Sequence, residues 1–274
     1  MGQLINATVG VIGAGSMGSA IASGLVASGA ADAANVLVSN PSAGRLEPLA
    51  KLGIRTFQDN NEMLMQQPDV VVLAVKPQIL PDVLSAQREG LSGRLVISIA
   101  AGVAIASLES CLPESRVIRA MPNLPVQVLS GATAVCAGTC STKEDLDLAV
   151  EIFSALGTAS VLREDQLDAE GAVVGCGPAY VALLVDDLTR AGVEHGLPAA
   201  ACRQMVLSTM RGVAEQLLRS GENPRAYMEK VTSPGGTTAA GLRAMECGMF
   251  KCACDGVDAA LERTRQLASP SDKQ

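Results

Sequence analysis

The chain has 274 residues, enough for two domains of ordinary size, each with its own core. Hydrophobic residues make up 48% of it, yet there is no Trp and there are only two Tyr and three Phe, so the core must be built from Ala, Val, Leu, Ile and Met. A formal charge of −7 with no run of Lys and Arg excludes a nucleic-acid surface, which needs clustered cations to replace counterions.

No apolar stretch approaches the ~20 residues of a membrane span, so no membrane partner is expected. The opening MGQLINATVGVIGAGS carries neither the basic n-region nor the cleavage pattern of an export signal, and Asn6 stands where a myristoylation signal has Ser or Thr. The expectation is a soluble, cytoplasmic protein. Its eight cysteines form no CxxC and are expected to be reduced; with a single His in the chain, no metal site is expected, and Cys252 and Cys254 read as small buried hydrophobes.

In chain order, the first element is a short apolar strand at Val9, Val11 and Ile12, followed by Gly13, Ala14, Gly15, Ser16, Met17 and Gly18 in the pattern GxGxxG. Ile21, Leu25 and Val26 then recur at helical spacing, which supplies the strand–turn–helix context that the pattern requires. In that context Gly13 allows the tight turn, Gly15 admits a pyrophosphate to the backbone and Gly18 lets helix and sheet pack closely. The helix start offers N–H donors and partial positive charge to phosphates.

A second strand, NVLVSN, ends at Asn40. An NAD-preferring site carries an acid about 20 residues beyond the glycines to accept the ribose 2′-OH. Here Ser39, Asn40 and Pro41 stand there, with Arg45 one turn on and no carboxylate, a set that suits a 2′-phosphate. NADPH is therefore the expected cofactor, with NADH the alternative.

The strands DVVVLAVKPQ and LVISIAAGV follow, buried runs of the kind found in parallel sheets covered on both faces. Ligands in such sheets bind beyond the carboxyl ends of the strands, which brings Ala74, Val75, Lys76, Pro77 and Ala100 to the crevice of the glycines. Asn61, at the start of the helix before Asp69, either faces that crevice or caps its helix.

After residues 158–165 the pattern changes. Segments 178–194, 199–219 and 249–267 are long, periodic and rich in Ala, Leu and Val, with breaks at Gly192, Gly196-Leu197-Pro198 and Ser220-Gly221. Helices that are apolar on most of their surface are buried against other helices or another subunit, so a homodimer built on this half is expected. His195, beside Gly196, reads as a helix-end residue and not as a catalytic acid. The fold class is thus α/β: an N-terminal Rossmann-like doubly wound sheet over residues 1–163, followed by an all-helical dimerisation domain over residues 164–274.

Between segments that read as helical, residues 231–241 read VTSPGGTTAAG. With GAGSMG at 13–18, AVKPQ at 74–78, RAMPNLP at 119–125 and GCGPAY at 175–180, this stretch resembles the pyrroline-5-carboxylate reductase family in motif order and spacing over nearly the whole chain. The resemblance implies an NAD(P)H-dependent oxidoreductase of proline biosynthesis, which reduces the C=N bond of 1-pyrroline-5-carboxylate to L-proline. It further implies a homodimer with intercalated helices, in some members joined into a ring of dimers. Carried over residue by residue, it places cofactor contacts at Gly13–Gly18, Ser39, Asn61, Ala74, Val75 and Lys76. The substrate loop falls on Ser233, Gly235, Gly236, Thr237 and Thr238, with Gly177 of GCGPAY as a further substrate contact and the Thr238 hydroxyl near the ring nitrogen.

One stretch departs from the family's pattern, SGSGPAY preceded by a Thr three residues earlier: this chain has Val174, Cys176 and, at the Thr position, Gly171. Three hydroxyls are missing, which leaves room for a related cyclic imine as substrate, or for an NADP-binding sensor without catalysis. A β-hydroxyacid dehydrogenase shares the domain order but needs a catalytic lysine in the second domain, and Lys230, Lys251 and Lys273 lie in no matching motif. Imine reduction needs hydride donor and carbon ~3–3.5 Å apart and positive character on nitrogen, which a cyclic imine brings by entering protonated. Gripping a carboxylate with the N–H groups of Gly235, Gly236 and the helix start at Thr237 fits that chemistry.

Overall fold

The structure, a computed structural model, describes residues 6–268. Its strands are β1 (Val9–Ile12), β2 (Val36–Ser39), β3 (Arg55–Phe57), β4 (Val70–Leu73), β5 (Leu95–Ser98), β6 (Arg116–Pro122), β7 (Gly131–Ala137) and β8 (Gly157–Val161). Its helices are α1 (Ser16–Ala27), α2 (Ala43–Ala50), α3 (Asn60–Leu64), α4 (Leu80–Leu91), α5 (Ile105–Cys111), α6 (Lys143–Ser154), α7 (Glu164–Glu170), α8 (Gly177–Glu194), α9 (Ala199–Ser220), α10 (Pro224–Lys230) and α11 (Thr237–Ala268). A π-helical turn, Gly171–Gly175, follows α7.

All eight strands join one sheet in the order β3-β2-β1-β4-β5-β6-β7-β8, parallel throughout except where β6 meets β7. The chain starts at β1, winds outward to β3, then returns to β1's other edge at β4. That reversal is the topological switch point at which doubly wound sheets bind ligands. The central strands are buried along their whole length, as the unbroken Val/Ile/Leu runs require. One face carries Val9, Val11, Ile21, Leu25 and Phe153, and the other Ile12, Leu37, Leu84, Leu91 and Leu108. Each such side chain contributes about 1.5–3 kcal/mol when fully buried, so the sheet is a rigid frame for the loops at its carboxyl edge.

The chain forms two compact units, one running through Cys176 and resuming at Ala260, the other comprising Gly177–Ala259. In the second unit α8 and α9 pack where Gly192 meets Cys202; a Cβ at Gly192 would overlap the Cys202 Sγ, which donates to the Thr189 carbonyl at 3.7 Å. Among its described residues only Val185 and Cys202 are buried. Leu183, Leu218 and Phe250 are 61%, 79% and 78% exposed. A single copy of this unit thus leaves large apolar side chains in water, the condition of a surface made for association.

Candidate active site

The glycine loop leaves β1 at Ile12. Gly13 has φ +107°, a conformation for which glycine is suited, and its N–H donates to the Ser39 carbonyl at 2.8 Å. A Cβ on Gly13 would press within 2.7 Å of the Ala74 carbonyl oxygen, and one on Gly18 would overlap the Gly13 carbonyl. A Cβ on Gly15 would meet nothing within 4 Å: it would project into open space at the N-cap of α1, where no side chain caps the helix. The two outer glycines thus serve close packing, and the middle one keeps a concavity clear before unpaired N–H groups. That is the cradle a pyrophosphate requires, so the residues present fit a dinucleotide.

The loop after β2 closes one side. Asn40 Oδ1 accepts from the Ala14 N–H at 3.2 Å and its Nδ2 donates to the Ser42 carbonyl at 3.3 Å, so this side chain ties β2 to the glycine loop. Two expected cofactor contacts are placed differently. Ser39 is fully buried and its hydroxyl donates to Asn60 Oδ1 at 2.8 Å. Asn61 lies instead on a surface pocket with Leu64, Arg88 and Arg94. The cause is the cap: Asp59 Oδ1 accepts from the N–H groups of Asn61 and Glu62 at 2.7 and 3.1 Å, which turns Asn60 toward Ser39 and Asn61 away.

β4 and β5 end beside the glycines, where the Ala74 N–H donates to the Ile12 carbonyl at 2.9 Å and the Ile99 N–H to the Leu73 carbonyl at 3.2 Å. The result is a crevice of about 570 Å³ that brings together Gly15, Ser16, Met17, Arg45, Ala74, Val75, Lys76, Pro77 and Ala100. Two cations line it, Arg45 from the start of α2 and Lys76 from the loop after β4. Its far wall is formed by Met121, Pro122, Asp168, Gly171, Gly175 and Cys176, with Thr264 from α11. Of that wall, Asp168 and Thr264 escaped the sequence reading, and Met121 and Pro122 entered it only within the motif RAMPNLP, with no role at the site.

Beneath the wall lies a charged cluster. Arg119, 4% exposed, bonds Asp168 Oδ1 at 3.0 Å and Glu164 Oε1 at 3.4 Å, and Glu164 Oε1 also accepts from the Ile105 N–H at 2.6 Å. Burial and the Glu164 carboxylate push the nearby Cys136 thiol up from its ordinary pKa. Burial raises the carboxyl of Glu170 to about 7, and its Oε2 is buried without a hydrogen-bond partner.

In the helical unit, Ser233–Gly236 forms a turn closed by the Gly236 N–H on the Ser233 carbonyl at 3.0 Å, with Pro234 second and Gly235 third at φ +72°. This is the type II arrangement, which demands Gly at that place. The turn opens directly into α11, so the N–H groups at Thr237 and Thr238 lie in the first helical turn, where intrahelical partners are lacking. Gly177 opens α8, and His195 sits at that helix's end beside Gly196 (φ +88°).

A doubly wound sheet, a glycine cradle at its switch point and a two-cation crevice define a Rossmann-fold oxidoreductase. Residues 8–102 match the family described as NADP oxidoreductase coenzyme F420-dependent, and residues 164–267 match pyrroline-5-carboxylate reductase dimerisation. The pyrroline-5-carboxylate reductase of Synechocystis sp. is 39% identical over 94% of this chain and 97% of its own length. Human pyrroline-5-carboxylate reductase 2 is 36% identical over 97% of this chain and 86% of its own. The structure is similar to that of the Coxiella burnetii pyrroline-5-carboxylate reductase, with a TM-score of 0.90 at 34% identity, covering 96% of this chain and 99% of that one. The Plasmodium falciparum pyrroline carboxylate reductase with NADP bound gives 0.85 at 31%, covering 97% and 100%. The chain belongs to the pyrroline-5-carboxylate reductase family, whose members act as oxidoreductases on a C=N bond.

One sequence expectation needs correction here. Glu164–Glu194 is long and apolar enough to cross a membrane, although only 6% of its most apolar window is buried. The run is interrupted by the π turn and a bend at Cys176 and lies inside the matched dimerisation region. Its exposed apolar side chains suit association of copies.

Proposed function

We propose that this chain reduces 1-pyrroline-5-carboxylate to L-proline with NADPH, as a cytoplasmic homodimer of proline biosynthesis that can assemble further into a ring of dimers. The observation that carries the reading is the open Cβ direction of Gly15 in a crevice flanked by Arg45 and Lys76, in a chain that matches a member of this family over 94% of its length. In this reading residues 1–163 bind the dinucleotide, and residues 164–274 supply the dimer surface and the substrate loop.

NADPH would be held by Gly13–Gly18, Asn40, Arg45, Ala74–Pro77 and Ala100, and when bound there it supplies the hydride. The N–H groups of the glycine loop and of the first turn of α1 take the pyrophosphate. Arg45 lines the crevice, where its guanidinium would bind a 2′-phosphate. Asn60 orders the end of β2 through Ser39. Ser39 thus acts from beneath the site through Asn60, while Asn61, expected as a cofactor contact, faces a separate surface pocket.

The substrate carboxylate is gripped by the N–H groups of Gly235, Gly236, Thr237 and Thr238, with Ser233 and Gly177 completing the lining. Backbone donors fix the anion without bringing a second charge to quench the iminium character on the ring nitrogen. The Thr238 hydroxyl donates to that nitrogen as its lone pair develops. No side-chain acid of shifted pKa is required, since the imine enters protonated. Positioning and electrostatics carry the rate.

The test follows NADPH absorbance with pyrroline-5-carboxylate, then with a 3-hydroxyacid and NADP, then with neither. Oxidation in the first arm alone is expected. Turnover of the hydroxyacid, or binding of NADPH without turnover in any arm, would refute the reading.

A further inference from the structure

Arg119, Met121 and Asn123 alternate along the end of β6 and its extended continuation, so they face the same side of the sheet. In the same order they meet successive turns of the segment after β8. Arg119 holds Glu164 and Asp168. Met121 lies under Gly171, where a Cβ would come within 3.4 Å of the methionine Cε. Asn123, 8% exposed, donates from Nδ2 to the Val174 carbonyl at 3.2 Å while its Oδ1 accepts from the Ala132 N–H at 2.9 Å.

The third rung differs from the others because of what Val174 lacks. A helical carbonyl ordinarily accepts from the residue four places on, and that residue here is Pro178, which has no N–H. Val174 lies in the π turn Gly171–Gly175, which the Cys176 N–H closes on the Gly171 carbonyl at 2.9 Å and which leaves the Val174 carbonyl to be met from elsewhere. Asn123 supplies the donor that proline withholds. Single π turns are rare and concentrate at functional sites, and Gly171, Gly175 and Cys176 of this one face the crevice.

We infer that Asn123 is a positioning residue for imine reduction: by donating to the Val174 carbonyl it holds the π turn in the register that shapes the substrate wall of the crevice. The inference rests on the reading of that crevice as the active site. Arg119 and Met121 fix the approach of α7, but only Asn123 bonds the backbone of the turn itself. The part of the wall that the turn contributes, Gly171, Gly175 and Cys176, has no long side chain to hold its shape, so its geometry follows the backbone.

Asn123→Asp removes the amide donor while keeping an oxygen for the Ala132 N–H, and the assays are run at about pH 8, above the ordinary Asp range, where a carboxylate has no hydrogen to give. The KM for pyrroline-5-carboxylate is expected to rise about tenfold, the scale of one lost hydrogen bond, with kcat and the NADPH dissociation constant changed less than about threefold. Amide exchange over residues 171–177 is expected to quicken by about tenfold or more, while that of residues 13–18 stays put. Pro178→Ala, which returns an N–H to the fourth position, is expected to restore much of the loss when combined with Asn123→Asp, and it provides the folded comparison should the single variant fail to fold.

Unchanged exchange at the turn would overturn the inference, as would quicker exchange with an unchanged KM. A uniform loss of melting temperature, kcat and NADPH affinity that Pro178→Ala does not relieve would show a merely structural asparagine. A wild-type protein that binds NADPH but reduces no pyrroline-5-carboxylate would sink the proposed reaction alone, and the exchange measurement would still decide whether Asn123 holds the turn.

Discussion

Replacing Glu170 with Gln removes a carboxyl that the fold holds in the wrong medium. Its Oε2 is buried without a partner, and burial raises its pKa from the ordinary 4.5 to about 7. Between these values the folded chain keeps a proton that the unfolded chain has released, so folding stability falls as pH rises through that window. The stabilising effect of protonation is fully present below about pH 4.5 and is gone above about pH 7. At ~1.4 kcal/mol for each tenfold in proton affinity, the gap sets a ceiling of about 3 kcal/mol, and because the group is only half-buried the expected effect is about 1–2 kcal/mol. The glutamine side chain of the Glu170→Gln variant is neutral at every pH and escapes this loss. Urea unfolding of both proteins at one fixed concentration, from about pH 5 to about pH 8, should show the variant gaining about 1–2 kcal/mol on the wild type as pH rises. Stability curves that stay parallel across the window would refute the reasoning, and a wild type that gains on the variant toward high pH would reverse its sign.

The glycines of the cofactor loop separate by the same kind of argument. Gly15→Ala should leave the melting temperature within about 2 °C and weaken NADPH binding by about tenfold or more, because its Cβ enters open space meant for phosphate. Gly18→Ala should instead lower the melting temperature itself, since its Cβ would overlap the Gly13 carbonyl; equal thermal behaviour of the two variants would contradict the division of labour. Arg45→Ala should weaken NADPH by about 10- to 100-fold, the range of a lost charge-assisted bond, and NADH by less than about twofold, as read by nucleotide fluorescence titration. Thr238→Ala should lower kcat by about 10- to 100-fold with NADPH affinity retained, and an unchanged kcat would remove this hydroxyl from the mechanism.

What the sequence made legible follows a physical line between local and distant constraints. Gly13 and Gly18 could be assigned because a positive φ and a close helix–strand approach are demands of three or four consecutive residues. SPGGTT could be read as a turn because Pro at the second place and Gly at the third are what a type II turn requires. Asn60 was missed in favour of Asn61, although the signal was present: Asp59 followed three residues later by Glu62 marks an N-terminus and fixes which asparagine turns inward. Arg119 and Asp168, 49 residues apart, carry no such mark, and neither does the bond from Asn123 to Val174 across 51 residues. β7, GATAVCA, is too poor in large side chains to show its alternation, though it completes the sheet beside β6.

The helical half shows why composition alone leaves two environments open. With no Trp and only Tyr180, Tyr227 and Phe250 for aromatics, its helices bury little and expose Leu, Met and Val along their length, which in Glu164–Glu194 satisfies the same test as a membrane span. What separates the cases is local polarity and backbone. Asp186, Asp187 and Arg190 lie on α8, and an Asp186–Arg190 pair at 3.8 Å would be stranded in hydrocarbon but is solvated on a soluble helix. The π turn at Gly171–Gly175 would expose unpaired backbone to lipid, a cost that membrane helices avoid unless the turn is covered by protein. In this chain Asn123 supplies a donor to one carbonyl of that turn, so the residue inferred to shape the crevice wall also meets a hydrogen-bonding demand that the interrupted helix creates.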